Sequence, residues 1–130
     1  MLNLLLNVLW FVFGGFAAGL SWLLGALLLA ISIVGLPWAP AALRIGLLAF
    51  APFGRQAVPK SLGRDGQSPD GCLGGLLNIV WFVLAGWYIA LAHVIVGLAL
   101  AVTLVGIPFA LQHLKLAALA LAPVGKTLRP

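Results

Sequence analysis

Charge is what this sequence has least of. Only 7% of its 130 residues are Asp, Glu, Lys or Arg, against about a quarter in a soluble domain. None occurs from Met1 to Leu43 or from Gly71 to Leu114. The acids are Asp65 and Asp70 alone, both in one Gly- and Pro-rich segment, so the apolar body has no carboxylate to serve as base, nucleophile or metal ligand. Cys72 is the single cysteine, which excludes a disulfide within the chain and leaves the redox compartment unread. His93 and His113 stand twenty residues apart with no Cys, Asp or Glu beside them, a spacing that does not suggest a metal site within one chain. These shortages argue against an enzyme or a cofactor-binding protein. They also argue against nucleic-acid binding, which needs a solvated basic face or an aromatic platform.

What remains is apolar. Hydrophobic residues make up 64% of the chain and the mean hydropathy is +1.22. Each uncharged stretch exceeds the roughly 18 to 20 apolar residues that cross a bilayer. The first has no basic residue before it and runs on past the length of a signal-peptide core, so it is expected to be retained. The composition predicts an all-α integral membrane protein.

Shifting the chain by 71 residues aligns it with itself without a gap. Asn7-Val8-Leu9-Trp10-Phe11-Val12 falls on Asn78-Ile79-Val80-Trp81-Phe82-Val83, and Gly15 on Gly86. Ser32-Ile33-Val34-Gly35-Leu36-Pro37-Trp38 meets Thr103-Leu104-Val105-Gly106-Ile107-Pro108-Phe109. Arg44 meets Lys115, and Ala51-Pro52-Phe53-Gly54-Arg55 meets Ala122-Pro123-Val124-Gly125-Lys126. Shared hydrophobicity alone does not keep glycines and prolines in register, so this is a true internal repeat. The domains expected are a first unit over 1–55, a basic connector rich in Gly and Pro over 56–72, and a second unit over 73–130.

Those residues carry a resemblance. Asn-x-x-Trp-Phe, then Gly86-Trp87 with His93 six residues beyond the Trp, then Gly106-Ile107-Pro108-Phe109, Lys115-Leu116-Ala117, Pro123 and Gly125, is similar to the YccF family of bacterial inner-membrane proteins. The likeness covers essentially the whole chain and is stronger in the second copy. The first copy departs at Trp22, where the second has His93, and at Trp38-Ala39-Pro40. The resemblance implies a bacterial cytoplasmic (inner) membrane location and brings no activity with it.

Basic residues follow each unit: Arg44, Arg55, Lys60 and Arg64 after the first, Lys115, Lys126 and Arg129 after the second. Short loops rich in Lys and Arg stay cytoplasmic, so each unit should cross an even number of times. That predicts two tandem parallel helical-hairpin repeats, about four crossings, and cytoplasmic N- and C-termini. Two paths fit each unit. In one, a long helix from about Leu4 to Val34 breaks at Val-Gly-Leu-Pro and returns through Trp38 to Phe53. In the other, the chain turns at Gly14-Gly15 and Ala85-Gly86 and the later segment lies in the interface. Proline after glycine is the stronger break and favours the first.

Polar side chains within apolar runs are the informative group, because desolvation is costly unless they meet partners or water. Asn7, Arg44, Asn78, His93, Thr103, Gln112 and Lys115 are therefore the candidate pathway or lipid and anion contacts. Gln112 and Lys115 share one helix face. A chain this small cannot enclose a pathway alone, so a transport role requires a homo-oligomer. The leading expectation is an oligomeric inner-membrane channel or transport protein for a small ion, with anions preferred because its cytoplasmic side is basic. The alternative is a non-conducting protein that binds anionic lipid headgroups or a partner protein as a scaffold or accessory subunit.

Overall fold

With no proline before Pro37 in the first copy, nothing removes a backbone donor from the apolar run that opens the chain. In the computed structural model, which describes residues 1–59 and 71–129, that run is one helix of 30 residues. It comprises α1 (Leu2–Trp10), a π-helical turn (Phe11–Gly15) and α2 (Phe16–Ile31). The second copy repeats this with α4 (Gly71–Trp81), a π-helical turn (Phe82–Gly86) and α5 (Trp87–Val102). The alternative path, with a reversal at Gly14-Gly15 and Ala85-Gly86, is not taken. Gly14 kinks the first helix at φ 155°, but the chain runs on. At 1.5 Å per residue each 30-residue helix is about 45 Å long, well beyond a hydrocarbon core of about 30 Å.

Both long helices end in the same turn. Ser32 Oγ donates to Leu29 O at 2.7 Å and accepts from Gly35 N at 3.0 Å. Thr103 Oγ1 donates to Leu100 O at 2.6 Å and accepts from Gly106 N at 3.0 Å. The next residues, Ile33 and Leu104, take φ values of 64° and 61°, a left-handed conformation that costs a side-chain-bearing residue about 1–2 kcal/mol. The chain then folds back as α3 (Ala39–Phe50) against α2, and as α6 (Ile107–Leu121) against α5. Pro40 and Pro108 sit in the first turn of these helices, where a missing N–H breaks no bond. In the first copy Pro37 stays in the turn, and α3 starts only before Pro40. That accounts for the local departure at Trp38-Ala39-Pro40.

Small residues allow the close return. Gly19, Ala26, Ala39, Ala42, Gly46 and Ala49 are buried in the first copy, and Ala90, Gly97, Ala110, Ala117 and Ala120 in the second. Small side chains let apolar helices approach and gain dispersion contacts where lipid supplies no hydrophobic drive. The outward faces stay apolar: only 22% and 17% of the most hydrophobic stretches are buried. The core helix of a soluble protein would be mostly covered.

After α3 and the equivalent α6 segment the chain turns sharply at Gly54 (φ 79°) and Gly125 (φ 88°), a region that favours glycine. This is the physical content of the repeated Pro-x-Gly. Each turn feeds a short strand, β1 (Gln56–Pro59) and β2 (Lys126–Arg129). They pair antiparallel, Gln56 opposite Arg129 and Pro59 opposite Lys126. The expectation of an all-α chain is corrected here: the fold is mostly helical with a two-stranded sheet, formed where the sequence suggested connector and tail. Lys60, Arg64, Asp65 and Asp70 of the expected connector lie outside the described residues. Met1–Leu77 with Pro123–Pro130 form one compact unit and Asn78–Ala122 another.

Candidate functional site

Each copy is built around a tryptophan that reaches from the residue just before the π-helical turn to the returning helix. Trp10 Nε1 donates to Ala49 O at 2.6 Å, and Trp81 Nε1 to Ala120 O at 2.7 Å. Both acceptors are carbonyls in a last helical turn, which have no intrahelical donor. Gly15 and Gly86 make the crossing possible. A Cβ on Gly15 would overlap the Trp10 indole, and one on Gly86 would stand 2.7 Å from Ala120 O. In the first unit Asn7 adds a reciprocal pair, its Nδ2 donating to Phe53 O at 3.0 Å and its Oδ1 accepting from Phe53 N at 2.9 Å. The Trp10 and Phe53 rings meet edge to face at 6.4 Å. Asn7 thus ties the start of the long helix to the end of the return. Asn78 is half-buried at the equivalent position.

The remaining candidates separate by environment. Thr103 is exposed, with its hydroxyl used in the turn. Arg44 lies midway along α3 and is half-buried, its Nε buried with no hydrogen-bond partner among the described residues. Lys115 holds the equivalent place on α6, also half-buried. Gln112, one turn before it, has a buried Oε1 with no partner among the described residues. Each short helix therefore carries a basic group in mid-course, and polar atoms that the rest of the unit leaves for solvent, ion or headgroup to satisfy.

His93 and His113 are brought together. Their Nδ1 atoms are 3.1 Å apart and their ring centroids 5.4 Å, with the planes tilted by 37°. The spacing argument against a site shared by these two residues does not hold, because folding α6 back on α5 cancels the twenty-residue separation. Thr103 lies midway between them in sequence, and residues equidistant from a tight turn face each other in an antiparallel pair. That midpoint was the available signal.

The turn that closes the helix pair within each copy is apolar and uncovered. Val34 is 81% exposed and Val105 82%. Between α2 and α3 an open apolar groove of about 410 Å³ is lined by Leu23, Ala26, Leu27, Leu36, Pro40 and Leu43.

A lipid-facing exterior, a twofold repeat and polar groups held in mid-helix define a class of molecule, and comparison with known proteins supplies the family. The model of the YccF inner membrane component domain matches twice, over residues 5–55 and 76–126. The chain belongs to the YccF family. It is 38% identical over 123 residues to the inner membrane protein YccF of Escherichia coli (strain K12), covering 93% of this chain and 83% of that protein. The same figures hold for the inner membrane protein YccF of Shigella flexneri. No solved structure matches the chain. Membership of the YccF family places the chain in the bacterial inner membrane, in accord with its two long apolar helices. The two YccF matches end at Arg55 and Lys126, so each takes in most of its long helix, and the turn, returning helix and Pro-x-Gly corner.

Proposed function

We propose that the protein is a non-enzymatic, homo-oligomeric membrane protein that passes small anions across the inner membrane. Arg44 and Lys115 carry this reading. Each is half-buried in the middle of a short helix that folds back on a long one. A cation at membrane depth costs roughly 2.5–3.5 kcal/mol by insertion scales, so it is retained where water or an anion meets it. Helices of 12 and 15 residues are about 18 and 22 Å long, too short to cross unaided. Such elements are tolerated at depth when they are packed in protein or line a wet cavity. Oligomerisation about a symmetry axis would gather copies of these groups around one path.

The topology that goes with this reading has both copies entering and returning, with Arg55, Lys126 and Arg129 on the cytoplasmic side. Pairing of β1 with β2 supports it, since residues 56–59 and 126–129 must then lie on one side and the intervening chain crosses an even number of times. On a Cys72→Ser background, Arg55→Cys and Thr127→Cys should react with a membrane-impermeant maleimide from the cytoplasmic face alone. Val34→Cys and Val105→Cys, at the turns beyond the long helices, should not react from the cytoplasmic face. Ready labelling of Thr127→Cys from the opposite face would overturn the arrangement.

The functional test is reconstitution of the purified protein in liposomes across a chloride gradient, with current recorded against voltage. Discrete currents reversing near the chloride potential are expected. Lys115→Gln should cut anion conductance about fivefold, equivalent to the roughly 1 kcal/mol that one basic group contributes near an anionic partner. Silence from correctly inserted protein would refute conduction.

A second reading is favoured by the groove between α2 and α3, which offers an acyl chain an apolar bed one residue from Arg44. In that reading the protein holds anionic phospholipid as a scaffold or accessory subunit. Silence in liposomes together with anionic lipid that is retained by the wild type, and lost when Arg44 and Lys115 are both changed to Gln, would select it.

A further inference from the structure

We propose that His93 and His113 form a binding site for a divalent first-row transition metal ion of the copper, nickel and zinc group, held by the Nδ1 atoms of the two rings. Imidazole nitrogen is a favoured donor for these ions.

The distance fits the chemistry. With metal–nitrogen bonds of about 2.0–2.1 Å, nitrogens 3.1 Å apart subtend an angle of about 100° at the ion. That lies between the right angle of a square-planar cis pair and the tetrahedral angle. A linear two-coordinate ion would need nitrogens about 4 Å apart and does not fit without movement of the helices. In the metal-free protein one Nδ1 donates a hydrogen bond to the other, so one ring is the Nδ1–H tautomer. Binding requires both rings as Nε2–H. Water takes the proton from Nδ1 and returns one to Nε2 of the same ring, both Nδ1 lone pairs become available, and no proton is lost in net. Small rotations about χ2, which is a broad torsion in histidine, aim the lone pairs at a common point. Water fills the remaining coordination positions.

The repeat supplies the second argument. His93 and His113 correspond to Trp22 and Ala42 of the first copy, which are 7% and 2% exposed. Neighbouring Gln112 corresponds to Ala41, also 2% exposed. The same helix pair therefore closes with a large and a small apolar side chain, and the architecture does not require the histidines. Placing two imidazoles in an apolar setting costs desolvation that the Trp-Ala solution avoids, so the pair is accounted for by what it binds. The backbone holds it in place: a Cβ on Gly97, one turn beyond His93, would lie 3.3 Å from Ala110 O and 3.4 Å from His113 Cβ. α5 and α6 are thus close-packed beside the pair.

The repeat also provides the control. The double variant His93→Trp/His113→Ala carries the first copy's own packing into the second, and single His93→Gln and His113→Gln variants keep polarity and approximate size. Protein without a polyhistidine tag, purified in detergent and freed of metal with a chelator, is titrated with Cu(II), Ni(II) or Zn(II) against a competing chromophoric chelator. The Cu(II) form is examined by electron paramagnetic resonance. The wild type should bind one ion per chain with superhyperfine structure from two nitrogens. Affinity should fall at least tenfold in both single variants and in the double variant, while the thermal transition of the metal-free double variant persists. Equal affinity in the wild type and in the folded variants, or Cu(II) spectra without nitrogen coupling, would overturn the assignment.

Discussion

Replacing Gly86 by alanine should destabilise the protein by about 3 kcal/mol, read as a lowered thermal midpoint in detergent. The new Cβ would lie 2.7 Å from Ala120 O and 2.9 Å from Cδ1 of Trp81. A flexible side-chain end could swing away from it, but a helical carbonyl cannot move without loosening the last turn of α6. Overpacking of this kind costs about 1–3 kcal/mol. The displaced carbonyl also accepts from Trp81 Nε1 at 2.7 Å, and stretching a buried bond of that kind adds about 1–3 kcal/mol. The comparison that isolates the cause is Gly25→Ala and Gly75→Ala. A Cβ at either would meet nothing within 4 Å, and relief of backbone entropy should make them more stable by about 0.5–1 kcal/mol. If all three substitutions shift the midpoint alike, the close approach at Gly86 is not what limits that position.

The indole N–H itself should be worth nearly as much. Trp10→Phe keeps most of the ring and removes the donor, leaving Ala49 O in an apolar interior with neither a helical nor a solvent partner. A loss of about 2 kcal/mol is expected, with Trp81→Phe matching it through Ala120 O. Trp87, 52% exposed, is the contrast: Trp87→Phe should change stability by less than about 0.5 kcal/mol, as for a surface substitution. Combining Gly15→Ala with Trp10→Phe gives a cycle in which the second change should cost much less after the first, because both act on one contact. Additive costs would separate the glycine from the indole and undo the account of the crossing given above.

The frame of this fold lay open in the sequence for definite reasons. Glycine and proline have backbone consequences that do not depend on distant partners, so Val-Gly-Leu-Pro marks the helix break in the sequence, whereas the repeated Pro-x-Gly reads there only as a shared motif and becomes a corner in the structure. In the sequence Gly15 and Gly86 offer the chain places to reverse. They are instead where it makes room, a distinction that depends on Ala49 and Ala120, each 34 residues further on. The sheet was illegible for a related reason. Gln56-Ala57-Val58-Pro59 and Lys126-Thr127-Leu128-Arg129 are four-residue segments with no alternating apolar face, and each becomes a strand because the other is there. Among the candidate residues, periodicity placed Gln112 with Lys115, and repetition singled out Asn7 and Arg44. Composition hid the histidine pair, because it was judged by separation along the chain, whereas the turn centred near Thr103 sets the separation in space.

Pairing of β1 with β2 has a consequence for biosynthesis. Gln56 finds its partner at Arg129, so about 70 residues must be added after β1 leaves the ribosome before β2 exists. At roughly 5–20 residues per second β1 waits some 4 to 14 s with its hydrogen-bonding edge unfilled. An open edge accepts any strand of suitable register, and on a crowded message the nearest such strand belongs to the chain being made just ahead. The contact that completes one molecule is thus also one through which two nascent molecules can exchange ends, and translation speed bears on which of these happens.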